Sequence, residues 1–140
     1  MKRVILTTAA CLFLSVVGYA QGTSLESFFN HYSEEDGFTY VYTGKKDKHY
    51  DSYSQKPCSL KFSKVLSCDK VSNNFVESLK AILIKQNFEL VKKIKSDSEI
   101  SETYRIELDG KEFEEVRLVV TGLIVTGTKV HVRWVSGKVK

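Results

Sequence analysis

The chain has 140 residues, of which 42% are hydrophobic and 27% are charged, with 8 Gly and a single Pro. This composition fits one ordinary globular domain and excludes collagen-like, coiled-coil and low-complexity chains. The formal net charge is +4, but the charges of both signs are interspersed along the chain. The sequence therefore predicts no nucleic-acid partner, because binding to phosphates requires a concentrated basic face.

The first 20 residues predict a secretory signal peptide. Lys2 and Arg3 precede an apolar run, and the small residues that end at Ala20 are typical of a cleavage site before Gln21. The apolar run is shorter than the ~20 residues that span a bilayer, so we expect no transmembrane segment in the mature chain. The expected organisation is a signal peptide over residues 1–20 and a single domain over residues 21–140. Removal of the two basic residues lowers the net charge from +4 to +2.

Two cysteines, Cys58 and Cys68, remain in the mature chain. An even number of cysteines in an exported protein predicts a disulfide. The residues between them, however, alternate partly like a strand, and an extended strand of this length would hold its ends about 30 Å apart. Either the segment folds back so that the thiols pair, or it stays extended and they do not.

Two amphipathic helices are predicted from apolar residues at helical spacing. The first helix carries its apolar stripe at Leu25, Phe28, Phe29 and Tyr32. The second helix, over about residues 74–85, carries its stripe at Phe75, Leu79, Ile82 and Leu83. Each stripe is expected to face the core of the domain.

Alternation of apolar and polar residues predicts strands. The clearest ones lie at 38–43, 88–94, 104–108, 116–120 and 130–134. The last three form a predicted antiparallel meander, with aliphatic residues and Trp134 toward the helices and charges of both signs on a solvated face. The fold class that follows is α+β, with two layers: a mostly antiparallel sheet of four to six strands and two helices packed on one face.

Residues 44–57 are polar, contain no aliphatic residue and show neither a helical nor a strand period. They predict a long exposed loop, and loops of this length are often functional. The alternative is a solvated connector whose tyrosines merely lie against the sheet. The residues that would contact a partner in the first case are Lys45, Lys46, Lys48, His49, Tyr50 and Tyr53.

The sequence carries no motif of a known catalytic, cofactor or metal site. Its three histidines lack a paired nucleophile or a metal-ligand spacing, so we predict no catalytic residues, no metal and no cofactor. Lys129, His131 and Arg133 recur at period 2 along the last strand, a pattern that could meet an anionic ligand. The alternative is an ordinary mixed surface, to which four further residues contribute: Arg105, Glu107, Glu115 and Arg117.

The order of several segments supports a family resemblance. These segments are residues 20–21, 28–42, 75–80, 88–91 and 134–137. In this order the chain resembles a family of small exported bacterial proteins known only as a domain of unknown function. The resemblance implies an α+β domain of the Gram-negative cell envelope and brings no catalytic residues with it. In that family the stretch after the first strand is more apolar and helical than residues 44–57 are here.

The sequence thus favours a non-enzymatic binding or interaction module of the periplasm or cell surface. Its expected partner is an envelope protein or a small ligand, contacted through residues 44–57. One alternative is a carrier of small ligands with a cavity between the helices and the sheet. A less favoured alternative is a hydrolytic enzyme that uses one of the histidines.

Overall fold

A computed structural model describes residues 24–122 and 128–140. The predicted signal peptide and its cleavage site at Ala20 and Gln21 lie outside the described residues. The helices are α1 (Leu25–Ser33) and α2 (Asn73–Lys85). The strands are β1 (Phe38–Thr43), β2 (Lys46–Asp51), β3 (Lys56–Val71), β4 (Glu89–Lys95), β5 (Glu99–Glu107), β6 (Glu112–Thr121) and β7 (Thr128–Val139).

The strands form one antiparallel sheet in the order β1-β3-β7-β6-β5-β4, and β2 also pairs with β3. The predicted number of four to six strands is wrong, because the described residues form seven. The long strand β3 accounts for the difference. Its 16 residues are long enough to pair with β2 through their first part and with β1 through their second part, along the same outer edge.

Both helices pack on one side of the sheet, which we call the helix face. Each helix begins after a serine: the Ser24 side chain accepts a hydrogen bond from the Ser27 backbone N–H, and Ser72 precedes α2 in extended conformation. The Leu25 backbone N–H donates to Gln86 Oε1 at 2.7 Å and so joins the start of α1 to the end of α2. The most deeply buried side chains of this core are Leu25, Phe28, Phe29, Leu66, Leu79, Ile82, Leu83, Val116, Leu118, Val130 and Val132.

A buried carboxylate also lies on the helix face. Glu102 Oε1 lies 3.4 Å from Lys80 Nζ on α2, and its Oε2 lies 3.3 Å from Lys93 Nζ on β4. The Tyr104 hydroxyl donates to the same carboxylate at 2.9 Å. Burial alone would raise the pKa of Glu102, but the Tyr104 hydrogen bond and the two ammonium groups lower it. This carboxylate therefore links α2 to the β4 edge of the sheet.

Alternate residues of the central strands point to the opposite side, which we call the hairpin face. A second, smaller apolar cluster lies there, made of Cys58, Leu60, Phe113 and Val135. The sequence predicted a solvated face of mixed charge on this side. That expectation fails at one end of the face, where the chain between β2 and β3 covers the sheet.

The predicted bridge between Cys58 and Cys68 does not form, because both cysteines are buried as free thiols in the single strand β3. Ten residues of strand place their Cα atoms about 30 Å apart, whereas a disulfide requires less than about 7 Å. They also belong to different clusters, since Cys58 packs on the hairpin face and Cys68 joins the helix-side core. The extended alternative for this segment is the one the structure shows.

Candidate functional site

Residues 44–57 form most of a β-hairpin instead of the predicted long loop. Strand β2 ends at Asp51, a four-residue turn follows, and β3 begins at Lys56. Asp51 shapes this turn: its Oδ1 accepts from the Tyr53 backbone N–H at 3.2 Å, and its Oδ2 accepts from the Ser54 hydroxyl at 2.6 Å. Gln55 closes the turn in the left-handed conformation at φ 61°. An aspartate that binds the backbone two residues ahead is a common turn device.

The turn folds back over the hairpin face of the sheet. Along the hydrogen-bonding direction, β2 lies four strand positions from β5, which corresponds to about 19 Å in a flat sheet. Yet Asp51 on β2 and Arg105 on β5 touch, with Oδ2 and Nη2 2.9 Å apart. The sheet must therefore curl strongly at this end. Register shifts in β2 and β3 allow this bend, because a bulge increases the local twist and curvature.

A buried ion cluster fixes the turn in this position. The side chains of Arg105 and Asp51 are each only 3% exposed, and they form a two-point contact with distances of 2.9 and 3.2 Å. Arg105 also lies 3.3 Å from Glu115 and 3.4 Å from Glu107, which is largely exposed. Such a two-point contact between guanidinium and carboxylate fixes orientation as well as distance.

Two aromatic rings cover the guanidinium of Arg105. The Phe113 ring lies 4.1 Å and the Tyr53 ring 4.8 Å from its central carbon. Planar guanidinium groups pack favourably against aromatic faces. Arg105 thus joins the turn, through Tyr53 and Asp51, to the second apolar cluster, through Phe113.

The two carboxylates beside Arg105 respond to it differently. Burial alone would raise the pKa of Asp51, but the hydrogen bonds from Ser54 and Arg105 and the charge of Arg105 lower it. The pKa of Glu115 is raised, because burial and the nearby charge of Asp51 outweigh its attraction to Arg105. Asp51, which makes the two-point contact, is therefore the main counter-charge of Arg105.

Between the folded-back hairpin and the sheet lies a pocket of about 160 Å³, which we call the hairpin pocket. The sheet supplies its floor and β2 with the turn supplies its roof. The lining is mainly polar and carries charges of both signs. Its residues are His49, Tyr50, Asp51, Ser52, Leu60, Phe113, Glu115, Arg117, Arg133 and Val135.

Two arginines give the hairpin pocket its cationic side, and a histidine lies on the roof of the same pocket. Arg117 on β6 and Arg133 on β7 are direct cross-strand partners. The Arg133 Nε–H donates to the Ser63 hydroxyl at 3.3 Å. The pKa of His49 is lowered, first by burial and then by the positive charges of Arg133 and Lys46, against an opposing effect of Asp51. His49 is therefore held neutral near pH 7, and its ring offers one donor and one acceptor nitrogen.

The structure divides the residues predicted for partner binding. Three of them surround the candidate site: His49 and Tyr50 line the hairpin pocket, and Tyr53 covers Arg105. The Tyr50 hydroxyl also donates to Gln55 Oε1 within the turn. The remaining three, Lys45, Lys46 and Lys48, are exposed and line no part of this pocket.

The basic side of the last strand is also divided. Only Arg133 lines the hairpin pocket, whereas His131 is exposed farther along β7. Lys129 lies 4.0 Å from Asp69, and both side chains are well exposed. The period-2 pattern thus placed three basic residues on one face but did not show which of them enters a pocket.

The geometry around His49 does not assemble a catalytic relay. Asp51 and Glu115 line the same pocket, but their polar contacts go to Arg105 and, for Asp51, to the turn as well. Among the described residues, neither carboxylate forms an ion pair or hydrogen bond with His49. General acid–base catalysis requires such groups within hydrogen-bond reach of each other or of the substrate.

Two further findings concern the described ranges 24–122 and 128–140. No group of three or more His, Cys, Asp or Glu side chains there is arranged to hold a metal ion. Neither helix in these ranges has the length and apolar character needed to cross a membrane.

Comparisons with protein-family models, with curated proteins and with solved structures find no match to this chain. The functional argument therefore depends on the geometry of the site itself.

Sequence reasoning missed the residues at the centre of the site. Arg105 and Glu115 were assigned to a mixed surface, since their alternation with apolar residues is the same as that of exposed charges. Asp51 was placed in a structureless loop. A local signal for Asp51 exists, because an aspartate followed by Ser-Tyr-Ser favours a turn closed by its side chain. The pairing of Asp51 with Arg105 leaves no such local signal.

Proposed function

We propose that this chain is a non-enzymatic binding module, exported to the periplasm or cell surface, whose ligand occupies the hairpin pocket. The observation that carries the proposal is a polar pocket whose roof is held to its floor by the Arg105–Asp51 pair. A site formed before the ligand arrives loses little conformational entropy on binding. The pattern of residues 1–20 supports the exported location.

The size of the pocket limits the ligand. A volume of about 160 Å³ is below the roughly 300–1,000 Å³ of pockets that enclose drug-sized molecules. The ligand is therefore a small molecule, or one end group of a larger one that remains outside the hairpin.

The hairpin pocket is a better candidate than a cavity between helices and sheet. Aromatic side chains fill that space: the ring centre of Phe28 lies 5.1 Å from that of Phe75, and the ring centre of Phe29 lies 5.2 Å from that of Trp134. Phe28 and Phe29 are fully buried, so packed rings occupy the space between the helices and the sheet, whereas the hairpin pocket is open.

Blocking the pocket tests this proposal. Ser52 lies in the exposed turn and lines the pocket, so Ser52→Trp introduces a bulky side chain there. We expect wild-type protein to bind at least one class in a panel of small carboxylic acids, phosphate esters, neutral sugars and amines. The variant should lose that binding. Native mass spectrometry and ligand-dependent thermal shift would measure it.

Lys48→Trp is the matched control, because Lys48 is exposed on β2, the strand that leads into this turn, and lines no part of the hairpin pocket. It should bind as the wild type does. Binding that survives in Ser52→Trp, or the absence of binding to every class in the panel, would contradict the proposal.

A further inference from the structure

We infer that the ligand of the hairpin pocket is an oxyanion, either a carboxylate or a phosphate group, held between Arg117 and Arg133. The inference rests on the proposed function and names its ligand class. Guanidinium groups recognise both kinds of anion through paired N–H donors, so the two share one recognition chemistry.

The first argument is the register of the two central strands. Arg117 and Arg133 lie directly opposite each other on β6 and β7, and both line the pocket. Cross-strand partners place their Cβ atoms about 4.5–5.5 Å apart, and like charges in this position destabilise a sheet. An anion between the two guanidinium groups would turn this repulsion into two attractive contacts.

The second argument is that the pocket's own carboxylates are engaged elsewhere. Asp51 and Glu115 both contact Arg105, at 2.9 and 3.3 Å. Among the described residues, no carboxylate oxygen lies within 4.0 Å of the guanidinium nitrogens of Arg117 or Arg133. Glu115 feels the charge of Arg117 at longer range. The N–H donors of the two guanidinium groups are nevertheless not taken up by a carboxylate and can bind a ligand.

The third argument is that Arg133 is already oriented. Its Nε–H is used by the buried Ser63 hydroxyl, which leaves the two terminal nitrogens as donors. From the roof, the half-buried His49 adds a neutral ring that can donate one further hydrogen bond. The pocket thus offers donors from both its floor and its roof.

Titration with inorganic phosphate and, separately, with malonate tests the inference. Two-dimensional NMR would follow the backbone amides of Arg117 and Arg133 and yield a dissociation constant for each anion. We expect saturable binding of at least one anion. Arg117→Gln and Arg133→Gln should each weaken it about tenfold or more, as expected for the loss of a charge-assisted contact. The anion that binds more tightly shows whether the natural ligand carries a phosphate or a carboxylate group.

Lys129→Gln is the matched control, because it removes one positive charge from the same face of β7 outside the pocket. It should change the dissociation constant less than about twofold, since exposed charges act weakly at physiological salt. Arg117→Lys keeps the charge but loses the two-point geometry, so its affinity should fall between those of wild type and Arg117→Gln. Equal weakening by Lys129→Gln, or no saturable binding of either anion, would overturn the inference.

The two proposals fail in different ways. If a neutral or cationic ligand binds wild type, is lost in Ser52→Trp and is retained in Arg117→Gln and Arg133→Gln, the anion inference is wrong and the binding function stands. If no compound binds wild type, both are wrong.

Discussion

The position of the hairpin depends on a single buried cation. Arg105 contacts Asp51 on the turn, Glu115 on β6 and the rings of Tyr53 and Phe113. A buried charge pair adds little net stability compared with well-packed apolar residues, but removal of one partner leaves the other charge buried and unpaired. Because of this asymmetry, the pair favours the arrangement in which the turn contacts β5 over arrangements in which this contact is broken.

Substitution of Asp51 by Asn should lower the free energy of unfolding by about 3 kcal/mol, because it leaves Arg105 buried without its main counter-charge. Urea-induced unfolding followed by circular dichroism would measure the change. Asp47→Asn, at an exposed position of the same strand, should cost less than about 0.5 kcal/mol. Equal stability of Asp51→Asn and wild type would show that the pair does not hold the hairpin.

The stability difference between wild type and Asp51→Asn should also depend on pH. The pKa of Asp51 is lowered in the folded state, so its stabilisation is fully present above its ordinary pKa of about 4. It is lost as the pH falls through the lower, folded-state value. The stability difference between wild type and Asp51→Asn should therefore be constant near neutral pH and shrink below about pH 4. A difference that grows on acidification would contradict the assigned ion pair.

At the scale of elements, the sequence predicted the helices well and the hairpin poorly. The apolar stripes of both helices, such as Phe28 with Phe29 and Leu79 with Ile82, are buried as expected. Strand β2 contains no aliphatic residue, so its sequence lacks the alternation of apolar and polar residues that predicts a strand. Backbone hydrogen bonds to the adjacent strand β3 form β2, and the apolar period of a sequence does not report such bonds.

The close approach of β3 to β7 beneath the pocket gives an element-scale prediction. A Cβ at Gly137 would lie 2.7 Å from the Ser59 carbonyl oxygen and 3.1 Å from the Phe113 ring. Gly137→Ala should therefore cost about 1–3 kcal/mol of unfolding free energy and widen the spacing of the two strands. Gly44→Ala is the control, since its nearest neighbour is an ordinary contact at 3.8 Å. Chemical denaturation would compare them, and equal stability would contradict the tight packing.

At the scale of the whole molecule, the α+β class and the antiparallel sheet followed from composition and alternation. The number of strands did not, because β2 and the long β3 lack a clear apolar period. The sequence predicted the residues of the candidate site in part: His49 and Tyr50 lie in the polar segment 44–57 that was expected to contact a partner. Arg105 and Asp51 were missed, since they are 54 positions apart and meet only when the sheet curls.

The proposed export gives a prediction for the N-terminus of the mature protein. The mature protein should begin at Gln21, because the small residue Ala20 ends the signal pattern. Intact-mass measurement and N-terminal sequencing of protein from the cell envelope would establish the first residue. Ala20→Asp should block cleavage and retain the precursor mass. Wild-type protein that starts at Met1 would contradict export by this route.

The position of β7 has a consequence for the order of folding. In the described sheet, β7 lies between β3 and β6, although it follows every other strand along the chain. Strands β1 to β3 and strands β4 to β6 can pair among themselves as soon as they are synthesised. The two groups share no backbone hydrogen bonds until residues 128–139 enter between them. Pairing across the centre of the sheet therefore requires residues 128–139. Its β3–β7 half joins residues as far apart in the chain as Cys58 and Val139, and such long-range contacts slow folding.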